Sequence, residues 1–110
     1  MTYASGFDSI AELETRLMEI DESVEEIDSR KRHIENELRM QIELKAEDKA
    51  SGLTNEKKRQ IAYEELADCN EELQGLLIQL RNKRREQKRL GIEVRNEQRA
   101  FQMKLIEAKT

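Results

Sequence analysis

The sequence contains no proline, a single cysteine, two tyrosines, two phenylalanines and no tryptophan among its 110 residues. Without proline, no residue of that kind interrupts a helix from within. One cysteine excludes an internal disulfide and is typical of a reducing compartment. So few aromatic side chains do not support a thick globular core. These absences together favour long, thin helical structures.

Long apolar runs are also missing. No stretch of about 18 apolar residues is present, so the sequence predicts no membrane-spanning helix. The start, MTYASGFDS, lacks the basic residues and apolar stretch of a signal peptide. We therefore expect a cytoplasmic protein. The net charge of −4 is mild and by itself favours no polyanionic partner.

What the sequence does contain is charge, at 40% of residues, laid over an apolar repeat. From Ile10 to Leu38 apolar residues recur at alternating intervals of three and four, interrupted only at Lys31. A second, less regular series runs from Leu66 to Phe101. Such spacing keeps one narrow stripe on one side of a helix, and that stripe must pack against another helix. The sequence therefore predicts an all-α fold, a long antiparallel helical hairpin that dimerises into a four-helix bundle.

Capping residues and one break divide the repeat. Ser9 and Glu12 have the spacing of a capping box. Gly52 is suited to the left-handed conformation that ends a helix, and Thr54 or Asn55 is suited to begin the next. The predicted segments of this single domain, 1–110, are helix one at about 9–47, a turn at 48–55 and helix two at about 56–108. Gly75 and Gly91 fall inside helix two. The alternatives are a bend at Gly91 and a third helix that begins after a break at Gly91.

The two predicted helices are unequal in length. Antiparallel geometry pairs residues whose numbers add up to about 103. Residues 96–110 then extend beyond helix one with several apolar side chains, which marks an interface. The predicted partner is the chain itself, most simply as a homodimer, and a further protein partner is left open. The residues that we expect at an oligomer or partner interface are Leu90, Val94, Phe101 and Leu105.

Bases are concentrated in helix two, where residues 81–104 hold nine bases and three acids. Residues 8–28 hold nine acids and one base, and the same register places them beside the bases. We expect charge pairing within the bundle, although each exposed pair contributes little. The alternative is contact with nucleic-acid phosphates. The residues that would make it are Arg84, Arg85, Lys88, Arg89, Arg95 and Arg99.

The sequence shows no pattern typical of a catalytic site, a metal site or a cofactor-binding site. The single histidine, His33, and the single cysteine, Cys69, are fewer than the four ligands of a structural zinc site. We expect a surface histidine and a buried apolar cysteine. Lys31 interrupts the stripe, and the register places it near Glu71 and Glu72 as a polar residue that sets the pairing. No phosphate loop, nucleophile elbow or hydrolytic triad is present, so the sequence predicts no enzyme and no cofactor.

Helix two begins with Asn55-Glu56-Lys57-Lys58-Arg59, followed by an Ala/Leu/Glu stretch and then heptads. Over roughly residues 51–101 this resembles small coiled-coil proteins of phage and prophage recombination or replication gene clusters. The resemblance implies a non-enzymatic accessory protein near DNA-processing machinery. The function predicted from the sequence is accordingly an oligomeric coiled-coil scaffold or adaptor of phage or prophage origin.

Overall fold

The computed structural model describes the backbone of residues 3–109 and the side chains of residues 9–109. This part of the chain holds three α-helices and no strand, which confirms the all-α prediction. The elements in order are α1 at Tyr3–Glu47, a short 3-10 helix at Lys49–Ser51, α2 at Glu56–Cys69 and α3 at Glu71–Lys109.

The first helix begins earlier than the sequence predicts. The backbone is already helical at Tyr3, so Ser9 lies inside α1. An N-terminal capping residue requires a non-helical backbone, which Ser9 does not have. The expected start at residue 9 and its capping box with Glu12 are therefore wrong.

The turn forms as the sequence predicts. Asp48 accepts a hydrogen bond at 3.0 Å from the backbone N–H of Ala50 and begins the short 3-10 helix. Gly52 ends it with φ of 78°, in the left-handed region. Asn55 then caps α2 by accepting a bond at 2.8 Å from the N–H of Lys58. The predictions for Gly52 and Asn55 are confirmed.

The second arm is interrupted at Asn70, where the sequence predicts one continuous helix over 56–108. Asn70 has an extended backbone, with φ of −83° and ψ of 104°, and it separates α2 from α3. Its N–H donates to the carbonyl of Ala67 at 3.2 Å, while its side-chain oxygen accepts from the N–H of Leu73 at 2.8 Å. One residue thus ends α2 and begins α3. The helix α3 then passes through Gly75 and Gly91 without interruption, so the alternative of a break at Gly91 is wrong.

The chain divides into two compact units, each containing part of α1 and part of the second arm. The turn unit is Glu26–Arg81, and the terminal unit consists of the described residues of Met1–Glu25 and Asn82–Thr110. The turn unit has a continuous apolar core of Ile34, Leu38, Leu73 and Leu76, with Ile27, Tyr63, Leu66 and Ala67 packed around it. In the terminal unit the buried residues are Ile20, Leu90 and Val94.

Helix pairing is antiparallel inside each unit. In the turn unit Arg30 contacts Glu72, and Glu35 contacts Tyr63. These residue numbers add up to 102 and 98, close to the expected register.

The terminal unit has a shifted register. Asp21 contacts Gln87 and Glu14 contacts Gln98, and the numbers of these pairs add up to 108 and 112. Gln98 therefore lies beside α1, which continues N-terminally to Tyr3. The prediction that α3 extends beyond α1 from residue 96 onwards is therefore wrong for the first of these residues. The reason is that α1 begins six residues earlier than expected and the register is displaced.

Candidate interaction surface

In the terminal unit, α3 presents one buried stripe and one exposed face. Leu90 and Val94 lie on the stripe, with 6% and 7% of their surface exposed. The hydrogen bonds of Gln87 to Asp21 and of Gln98 to Glu14 flank this stripe along α1. Leu90 and Val94, which the sequence places at an interface, are thus covered within a single chain.

The two other residues expected at an interface, Phe101 and Leu105, are half-buried. The large apolar side chains that remain exposed on this part of α3 are different ones. Ile92 is 45% exposed, Met103 62% and Ile106 63%. The helical period of 3.6 residues places all three on the side of α3 opposite Leu90 and Val94. Sequence reasoning missed Ile92 because it follows the apolar stripe and ignores isolated apolar residues outside it.

All six residues predicted to contact phosphates are exposed. They are Arg84, Arg85, Lys88, Arg89, Arg95 and Arg99. Within the part of the chain that the structure describes, none of them forms an ion pair with a carboxylate. Arg95 instead donates from Nε to the carbonyl oxygen of Gly91 at 3.3 Å. Their guanidinium and ammonium groups are available to an external anion.

These bases do not surround the helix evenly. Helical spacing places Arg85, Lys88 and Arg99 on the same side as the exposed Ile92. The three acids of the same stretch, Glu86, Glu93 and Glu97, lie together on one flank of α3. We call the exposed side the basic face, which consists of Arg85, Lys88, Ile92, Arg99, Met103 and Ile106.

The opposite charge lies on α1 of the same unit. We call its outward side the acidic face, which consists of Thr15, Met18, Glu19 and Glu22, with Glu25 at its edge. All five are exposed, and Met18 retains 64% of its surface.

No ion pair joins the acids of α1 to the bases of α3 among the residues whose side chains the structure describes, so the expected charge pairing is not seen between those residues. The physical reason is orientation, because each charged face points away from the seam that the two helices share. Neutral amides, those of Gln87 and Gln98, connect the helices instead.

Polar contacts in the turn unit also differ from expectation. Lys31 forms ion pairs within α1, to Asp28 at 3.8 Å and to Glu35 at 3.4 Å. It does not pair with Glu71 or Glu72. Arg30, one residue earlier, donates from its Nε to Glu72 at 2.7 Å and so connects α1 to α3.

Tyr63 has a defined environment in the turn unit. Its hydroxyl donates to Glu35 at 3.3 Å, and the guanidinium of Arg39 lies 4.6 Å from the ring centre. Burial raises the pKa of the Tyr63 phenol above 10.0, and the negative charge of Glu35 raises it further. Arg39 acts in the opposite direction. The phenol is therefore neutral at physiological pH and serves as a hydrogen-bond donor.

His33 and Cys69 lie in different surroundings and do not form a common site. The His33 Nε2 is 3.0 Å from Glu37, on an exposed part of α1. Cys69 is exposed, so the expectation of a buried cysteine is wrong. The reason is that α2 ends at Cys69, and the stripe does not continue through it. Among the described residues, no group of three or more potential metal ligands is present.

Open hollows lie on the turn unit, and two of them contain His33 or Cys69 in their lining. The larger, of about 1190 Å³, runs between α1 and the start of α3 beside Arg30, His33, Glu72 and Gly75. The smaller, of about 370 Å³, is bordered by the turn and mainly apolar, and Cys69 lies at it.

In comparisons with known proteins, no family model, curated protein or solved structure matches the chain. A search of the described helices for an apolar stretch of membrane-spanning length found none.

Proposed function

We propose that this protein is a non-enzymatic, self-associating coiled-coil scaffold or adaptor. The observation that carries this proposal is the balance of apolar side chains in the described residues. Nine are buried, and nine large ones are exposed, among them Met18, Ile92, Met103 and Ile106. Exposed apolar surface on such a scale favours association, because a narrow two-helix seam buries little of it.

The proposed architecture is an antiparallel helical hairpin, in which α1 is one arm and α2 with α3 is the other, and whose smallest assembly is a dimer with four helical arms. The antiparallel contacts inside each unit support the hairpin. The resemblance of residues 51–101 to phage and prophage coiled-coil proteins supports an accessory role in such a gene cluster. The function in this proposal is to connect proteins, with no chemistry of its own.

Light scattering coupled to size-exclusion chromatography, over a range of loading concentrations, tests self-association. We expect a mass above the 13.0 kDa of one chain that rises with concentration. Ile92→Ser combined with Met103→Ser should weaken association. Ile61→Ser is the matched control, since Ile61 is 47% exposed on α2 and lies outside both faces. A monomer at every concentration, with full helix content by circular dichroism, would refute the proposal.

A second candidate function is binding of nucleic-acid phosphates, because six exposed bases on α3 have no carboxylate partner among the described residues. Fluorescence anisotropy with labelled single- and double-stranded oligonucleotides tests it. Binding should weaken steeply as salt increases, because each neutralised phosphate releases counterions. If no binding is detected at low salt, this candidate is rejected.

A further inference from the structure

The terminal unit presents two complementary surfaces that do not meet within one chain. The basic face of α3 combines Arg85, Lys88 and Arg99 with exposed apolar side chains. The acidic face of α1 combines Glu19 and Glu22 with the exposed Met18. Both faces point away from the shared seam, so their complementarity is unsatisfied in a single chain.

Residues 8–28 contain a single base, and it does not neutralise the acidic face. Arg16 forms an ion pair at 2.8 Å with Glu12, four residues earlier on α1. The carboxylates of Glu19 and Glu22 form no ion pair with another described residue. The acidic face is therefore negative and accessible over about two helical turns.

The composition of the basic face distinguishes between anionic partners. It holds no aromatic side chain on which a nucleic-acid base would stack, although stacking supports single-strand binding. It does hold Ile92 and Met103 among its bases, and a phosphate backbone offers no apolar surface to cover them. An acidic helix with its own apolar residue satisfies both requirements. Met18 with Glu19 and Glu22 provides such a helix on this chain.

We propose that the basic face of one copy packs against the acidic face of a second copy. This inference rests on the proposed self-association and specifies its contact. Arg85, Lys88 and Arg99 meet Glu19, Glu22 and Glu25 of the second copy, while Ile92 and Met103 cover Met18.

The contact joins two different surfaces, so it is heterologous. A dimer formed through it retains one free basic face and one free acidic face. Further copies add head to tail, unless the rotation between copies closes a ring. The assembly therefore grows beyond two chains as concentration rises.

Charge-reversal variants test this contact. The basic-face variant carries Arg85→Glu, Lys88→Glu and Arg99→Glu, and the acidic-face variant carries Glu19→Lys, Glu22→Lys and Glu25→Lys. Arginine, lysine and glutamate have similar helix propensities, so the helices are retained. The control carries Lys57→Glu, Lys58→Glu and Arg59→Glu on exposed positions of α2. Control and basic-face variant both change the net charge of −4 by −6, to −10.

Sedimentation velocity at low salt measures the assembly of each protein. Each face variant alone should need an at least about tenfold higher concentration than the wild type to reach the same average mass, because like charges then face each other. An equimolar mixture of the two face variants should recover association. The control should behave more like the wild type than the basic-face variant does.

The outcomes separate the two proposals. A wild-type chain that stays monomeric refutes self-association itself. A wild type that associates, together with face variants that associate equally well, overturns only this contact. Loss of oligonucleotide binding by the basic-face variant, without any loss of association, assigns the face to nucleic acid and overturns the contact as well.

Discussion

The side-chain oxygen of Asn70 accepts a hydrogen bond from the backbone N–H of Leu73 at 2.8 Å, and this bond begins α3. Gln74 reinforces the junction, since its side-chain amide donates to the carbonyl of Ala67 at 2.9 Å. Leu73 is the most completely buried residue of the core, with 2% of its surface exposed. The cap at Asn70 therefore fixes the helix turn from which the core of the turn unit is built.

Replacing Asn70 with alanine should lower the free energy of unfolding by about 1 kcal/mol, because the N–H of Leu73 loses its acceptor. Asn70→Asp is the matched control, since aspartate retains a capping oxygen. Urea denaturation followed by circular dichroism measures both variants. An alanine variant as stable as the wild type would show that the second arm tolerates a continuous helix through residue 70.

Such a continuous helix is what the sequence suggested, because apolar periodicity locates long helices better than it locates short breaks within them. The turn was predictable because Gly52 and Asn55 interrupt the repeat with residues that favour non-helical backbone. Asn70 carried a weaker signal, a capping residue followed by two glutamates, and the apolar series passed across it. At Ser9 the sequence predicted a helix start where the helix is in fact continuous. In a chain so rich in glutamate, a serine that precedes a glutamate by three residues often occurs inside a helix.

Two leucines four residues apart on α3 should differ in how much stability is lost when each is replaced with alanine, because only one of them is buried in the core. Leu73→Ala should lower the free energy of unfolding by about 2–5 kcal/mol, through lost transfer free energy and a residual cavity. Leu77→Ala, at a position 37% exposed, should cost less than about 1 kcal/mol. Urea denaturation at fixed protein concentration measures both. Equal losses would show that Leu73 is no better packed in the core than Leu77.

Raising the pH should weaken the turn unit through Tyr63. Its pKa in the folded chain lies above the ordinary 10.0, so the fold favours the neutral phenol. The stabilisation is complete below pH 10.0 and is lost as the pH rises through the folded-state pKa. The measurement is tyrosinate absorbance during an alkaline titration, in a Tyr3→Phe background that leaves Tyr63 as the single tyrosine.

Neighbouring charges supply the controls for that titration. Glu35→Gln should lower the pKa of Tyr63, because it removes a negative charge beside the phenol. Arg39→Gln should raise it, because the cation over the ring favours the phenolate. If neither substitution moves the titration midpoint, the described contacts of Tyr63 do not persist in solution.

The candidate surface was only partly predictable for a related reason. The bases of α3 were evident in the sequence, but the side of the bundle that they face was not. Whether Arg85, Lys88 and Arg99 face α1 or solvent depends on which stripe is buried, and Leu90 with Val94 settles that in the structure. The register estimated from the turn alone was wrong for the helix pairing in the terminal unit. Each residue of error in the register changes by about 100° the side of a helix that is expected to face its partner.

Two glycines with opposite backbone requirements provide the last prediction. Gly91 lies inside α3, and apart from its chain neighbours and the surrounding helix backbone no atom lies within 4 Å of the position that a Cβ would take. Gly91→Ala should therefore raise the free energy of unfolding by about 0.5–1 kcal/mol, through the better helix propensity of alanine. Gly52→Ala should lower it by about 1 kcal/mol, because the φ of 78° strains any residue with a Cβ. Thermal and urea denaturation measure both, and a Gly91→Ala variant less stable than the wild type would show that α3 is not a regular helix at this residue.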